Sequence, residues 1–190
     1  MYRGILIIFF FFTGNIFSQN LSFIKEKIEM TIQNDTSFTI AGKYYFLNKS
    51  DRKFISSFYY PFFIDSNNKY PDSILILDGN NHLVSYTKSE NSIFFAIKSL
   101  QRDTSEFSAF YRQKTLINRA EYILTTTQNW NVPLQKAKYI VKLPVNLILK
   151  SISLQPDSIK NNFGYKTYFI TKENFMPLIN LIVEWQRSEK

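Results

Sequence analysis

Cysteine is absent from this chain of 190 residues, and histidine occurs once, as His82. No disulfide braces the fold, and a zinc centre built from His and Cys has no ligand set, so neither a metal nor a cofactor is expected. A Ser-His-Asp triad would have to recruit His82, which follows the turn-prone run Asp78-Gly79-Asn80-Asn81, and no G-x-S-x-G elbow supplies a nucleophile. Dense charge runs are missing too. The lysines are spread over every segment without a nucleic-acid motif, which argues against a nucleic-acid partner. No solenoid-type repeat or low-complexity linker interrupts the chain.

The longest unbroken apolar run, Gly4 to Phe12, is too short for a bilayer core that needs about 20 helical residues. Arg3 precedes it, Gly14 and Asn15 break it, and small Ser18 stands before Gln19. That layout predicts a cleaved export signal over residues 1–18, leaving no stable membrane span and one domain over 19–190. The expected location is periplasmic, outer-surface or extracellular. Arg3 is the only charge in the leader, so the remaining chain carries 22 basic and 15 acidic residues, a net of +7. With no disulfide available, its stability must come from apolar burial, and 45% hydrophobic residues with 19 Phe supply the material.

What fills the rest is a succession of short β-like runs separated by polar turns, the pattern of an all-β fold. In Thr36 to Leu47, Phe38, Ile40, Gly42, Tyr44 and Phe46 share one parity. Phe23 to Ile32 places Ile24, Glu26, Ile28, Met30 and Ile32 on one parity and is read as a strand. Further strands are expected at 54–63, 73–77, 83–87, 92–99, 106–113, 119–127, 135–143, 147–154, 165–171 and 179–186. The runs 73–77 and 83–87 flank a hairpin turn, and Pro61 marks an edge or a strand end because it cannot donate to a ladder. The expected architecture is an antiparallel β-sandwich of ten or more short strands, with a closed β-barrel as the alternative.

Few residues in this pattern suggest chemistry. Glu106, Glu121, Asp65 and Asp72 are the acids available for a paired-carboxylate reaction, but no motif fixes their geometry, and Arg119 and Glu121 share a parity that suits an ion pair. The loop Asp65 to Asp72 offers oxygen ligands but departs from the calcium-loop pattern at Lys69, so an Asx-rich turn is expected. Phe58-Tyr59-Tyr60-Pro61-Phe62-Phe63 reads as a strand buried on both faces, or as an apolar ligand surface if both parities are exposed. Trp130, in the polar loop 127–133, is the one candidate binding residue. Its indole either stacks on a ligand or caps the sandwich, and Val132-Pro133-Leu134 beneath it favour the cap. Trp185 shares parity with Leu181 and Val183 and is read as core.

The stretch Tyr122 to Leu134, with Ala137-Lys138-Tyr139, Leu143-Pro144, Asn174-Phe175-Met176-Pro177 and Asn180 to Trp185, resembles segments of secreted β-sandwich proteins of the Bacteroidetes type. The resemblance implies the fold and export, with no activity or site residues to carry over. The function expected from all of this is a non-catalytic binding or accessory module of the cell envelope, with an envelope protein or glycan as partner. An apolar-ligand carrier is the alternative, and a carboxylate-dependent glycan-active enzyme ranks behind it.

Overall fold

A computed structural model describes residues 20–187, so the expected export signal lies outside the described residues. The first half of the chain forms β1 (Leu21–Ile32), β2 (Ser37–Asn48), β3 (Phe54–Pro61), β4 (Ser73–Asp78), β5 (Tyr86–Lys88), β6 (Ser92–Ser99) and β7 (Thr104–Lys114). The second half forms β8 (Arg119–Tyr122), a 3-10 helix (Thr125–Trp130), β9 (Leu134–Pro144), β10 (Leu147–Ile152), β11 (Ser158–Asn162), β12 (Tyr165–Phe175) and β13 (Leu181–Arg187).

One layer is a seven-stranded sheet of order β11-β12-β9-β1-β2-β7-β4. Two three-stranded sheets, β10-β13-β8 and β3-β6-β5, make up the other layer, and the buried residues of all three sheets form one apolar cluster. This is the all-β sandwich that the alternating runs predict. The closed barrel is ruled out, because β11 and β4 end the large sheet as unjoined edges. The sheets are also not purely antiparallel: β1 and β9 pair in parallel, from Lys25 beside Lys136 to Thr31 beside Lys142.

Alternation sets the inward face of each long strand. On β2, Phe38, Ile40, Tyr44 and Phe46 are buried while Thr39, Ala41, Lys43 and Tyr45 lie partly open. A bulge between Phe23 and Lys25 shifts β1 by one position, so that Phe23 and then Glu26, Ile28, Met30 and Ile32 all face the core. Gly42 sits on the same face as Tyr44, and a Cβ there would meet the Tyr44 hydroxyl at 2.2 Å. The aromatic ring lies over the space that a side chain would fill.

Four expectations need correction. The run 119–127 is a strand only to Tyr122, because the chain then coils into the 3-10 helix. The turn after Asp78 is real, closed by Asn80 and His82 amides donating to Asp78 Oδ1, but the returning chain keeps only the Leu77–Leu83 bridge with β4. It then crosses to the other layer, where β5 pairs with β6. The run Phe58 to Phe63 is not buried on both faces: Phe58, Tyr60 and Phe62 point inward while Tyr59 is 52% exposed, since the β3-β6-β5 sheet packs only one face on the core and the central strand β6 alternates in the same way. Finally, β11 falls in a stretch with no strand expectation, because its five residues are all exposed and carry no apolar alternation.

Candidate functional site

The two halves of the chain occupy separate halves of each layer. In the large sheet they are hydrogen-bonded through β1 and β9, but in the other layer β3 and β8 end their sheets as edges and no ladder joins them. The space between these edges is a cleft of about 620 Å³, bounded by all of β3, by Tyr122 and Ile123, and by the 3-10 helix as far as Trp130. Inward residues of the large sheet, Phe23, Glu26, Tyr44, Phe46 and Phe107, form its floor. That volume lies within the range of small-molecule sites, and such sites favour the junction of two packed units.

A chain of three tyrosines clasps the edges together. The Tyr44 hydroxyl lies 2.7 Å from the Tyr60 hydroxyl on β3 and 2.6 Å from the Tyr122 hydroxyl on β8. Burial pushes all three hydroxyls well above the ordinary tyrosine range, so they stay neutral and act as hydrogen-bonding groups. Around them the rings pack edge-to-face or stacked, with Tyr44 on Phe107 at 4.7 Å and Phe58 against Phe46 at 4.7 Å.

Glu26 is the one acid in this aromatic setting and is only 2% exposed. The Tyr139 hydroxyl donates to its Oε1 at 2.6 Å, and its Oε2 has no hydrogen-bond partner among the described residues. Burial pushes its carboxyl up to about 7, against the opposing effect of the Tyr139 hydrogen bond. Its ionisable neighbours are Tyr139 on β9, Tyr44 on β2, Tyr60 on β3 and Tyr122 on β8, and no cation among the described residues pairs with it. A carboxyl held this way can donate or accept toward a ligand in the cleft.

The Trp130 wall is fixed from a distance. No side chain next to the 3-10 helix caps it. Instead Asn180 Oδ1 accepts from the Leu124 and Thr125 amides and from Thr125 Oγ1, and Gln128 donates to the Pro177 carbonyl. Trp130 is half-buried, 5.2 Å from the Phe46 ring and 6.1 Å from Phe23, so it touches the core and lines the cleft at once. Trp185 is buried.

The acids that the sequence offers are scattered and separately engaged. Glu106 pairs with Lys43, Asp72 with Arg112, and Glu121 with Arg119 and the Asn180 amide. Asp65 accepts from the Asn67 and Asn68 amides, closing an Asx turn. His82 is exposed, with Nδ1 3.4 Å from Asp78. Sequence reasoning missed Glu26 as a site residue. Its signal is the lone charge on an apolar parity, but its partner Tyr139 is supplied only by the β1/β9 pairing.

No protein-family model matches the chain, and no curated protein matches it in sequence. Its fold recurs in bacterial proteins. A Legionella pneumophila protein provisionally designated nutrient binding superposes with a TM-score of 0.70 at 16% identity, over 87% of this chain and 67% of that one. An M1 zinc metallopeptidase from Deinococcus radiodurans superposes with a TM-score of 0.55 at 10% identity, over 87% of this chain and 42% of the enzyme. At such identities the likeness is one of fold alone. This chain spans less than half of the metallopeptidase.

Proposed function

We propose that this chain is a non-catalytic binding module, exported by residues 1–18, whose ligand lies in the cleft between β3 and the Trp130 helix. One observation carries the reading: an aromatic cleft of about 620 Å³ opens where the two halves of the fold meet, with the free carboxyl oxygen of Glu26 in its floor. Apolar walls with few polar groups are the usual make-up of a ligand site. The provisional nutrient-binding designation of the Legionella protein supports the same reading. The carrier alternative survives in the apolar character of the cleft, without its barrel.

The fluorescent apolar probe 1-anilinonaphthalene-8-sulfonate tests the cleft. Ser56 lines it from the inward parity of β3, so Ser56→Trp fills it. Saturable binding by the wild-type chain and at least a tenfold loss in Ser56→Trp, with the melting temperature kept, is the expected result. Equal binding by both places the probe elsewhere and defeats the proposal. An intact mass lacking residues 1–18, in protein recovered outside the cytoplasm, tests export.

A further inference from the structure

The register of β3 on β6 shows which backbone groups of β3 are free. Phe62 N–H donates to the Asn91 carbonyl, and the same antiparallel register runs on through Tyr60 beside Ile93, Phe58 beside Phe95 and Phe54 beside Ser99. Even-numbered residues of β3 therefore direct their N–H and C=O groups at β6. Ile55, Ser57 and Tyr59 direct theirs the other way, into the cleft. These groups have no hydrogen-bond partner among the described residues. The position that lacks an N–H, Pro61, falls on this free set, where its loss breaks no ladder bond.

We infer that the occupant of the cleft is an extended peptide that adds to β3 as a new edge strand. The inference rests on the cleft reading above and names its ligand class. Three observations favour a peptide. All eight residues of β3 border the cleft, both parities alike, as happens when a strand edge itself forms the wall. The free groups from Ile55 to Pro61 span about 20 Å at ~3.3 Å per residue, the length of a five- to seven-residue strand. The edge is also lightly guarded: Phe54 to Pro61 contains no charge and no bulge, and of the devices that ordinarily blunt open edges only a proline is present, at its last position. Strand addition gives affinity through main-chain hydrogen bonds and selectivity through alternate side chains. Here those side chains meet the floor of Phe23, Phe46 and Phe107, and a donor group on one of them finds the Glu26 oxygen. An apolar, β-branched or aromatic segment without proline, carrying one amine or amide side chain, fits.

The test selects binders from a displayed library of random ten-residue peptides on the full chain and measures a synthetic selected peptide by calorimetry. Its backbone is N-methylated at odd or at even positions. Strand addition predicts that one of these sets lowers affinity at least 50-fold while the other leaves it within about threefold, since only one edge faces β3. Ser57→Pro removes the central free N–H and is expected to lower affinity at least tenfold, while Ser57→Ala, altering only an outward side chain, leaves it unchanged. Equal tolerance of both methylation sets overturns the inference in favour of side-chain docking. Failure to select any peptide while the naphthalene probe still binds in a Ser56-dependent way overturns it and leaves the cleft reading standing. Loss of both defeats both. A self-association that Ser57→Pro abolishes, with no peptide bound, makes the occupant the edge of a second copy and likewise overturns it.

Discussion

Glu26 costs the fold stability wherever it is ionised. Its carboxyl titrates near 4.5 in a solvated chain and at about 7 in the folded one. Between those values the unfolded state binds fewer protons than the folded state, so stability falls as pH rises. Wild-type protein is expected to lose about 3 kcal/mol from pH 4.5 to above 7, with the curve flat beyond. Glu26→Gln keeps the Tyr139 hydrogen bond and removes the slope, which urea unfolding at a series of pH values measures. Asp35, Asp51, Asp65 and Asp78, held below the carboxylate range by hydrogen bonds from Ser37, Arg102, Asn68 and the His82 amide, act with opposite sign below about pH 4 and leave this window clear. Identical slopes in both proteins would remove Glu26 from the account. The sequence shows Glu26 as the one charge among Ile24, Ile28, Met30 and Ile32. It does not show that a bulge turns Glu26 inward while leaving Ile24 half-buried, or that Tyr139 waits 113 residues away.

Elements follow the sequence closely where one face is wet and one dry. The run 92–99 is a strand to the residue, and Pro61 closes an edge strand as its missing N–H requires. Where tertiary partners decide, local pattern misleads. The strand beginning at Arg119 bends into a 3-10 helix at Thr125 because Asn180, on the approach to β13, supplies the acceptor for its first amides. Such amides have no partner within their own helix. Asn180→Ala also strips the Glu121 carboxylate of a donor. Its expected cost is about 2 kcal/mol, the scale of leaving part-buried polar groups unpaired. The two tryptophans report which part moves. In proton NMR the indole N–H signal of Trp130 shifts and that of Trp185, on β13, does not. A stable variant with both signals in place would show that the helix holds itself.

At the scale of the whole molecule the chain is two halves sewn along one parallel seam, and the seam explains what the sequence conceals. Read linearly, the lysines are dispersed. Folded, Lys25 lies beside Lys136 and Lys27 beside Lys138 across β1 and β9, with Lys43 next to Lys27 on β2. Glu173 pairs with Lys136 and Glu106 with Lys43, while Lys25 rests over the Tyr45 ring. Lys27 and Lys138 are exposed neighbours with no ion pair among the described residues. Like charges side by side on adjacent strands oppose pairing, and a chain already at +8 offers little relief. Lys138→Glu turns that repulsion into attraction across the seam and is expected to stabilise the protein by about 0.5–1 kcal/mol at low salt. Salt screens exposed charges, so the advantage should shrink as sodium chloride approaches about 0.5 M, where the wild-type protein gains most. Thermal unfolding of both proteins over that range decides the matter. A salt-independent difference would point to strand propensity at position 138 instead of charge, and no difference at low salt would mean that the halves are held together without regard to the lysines on their outer face.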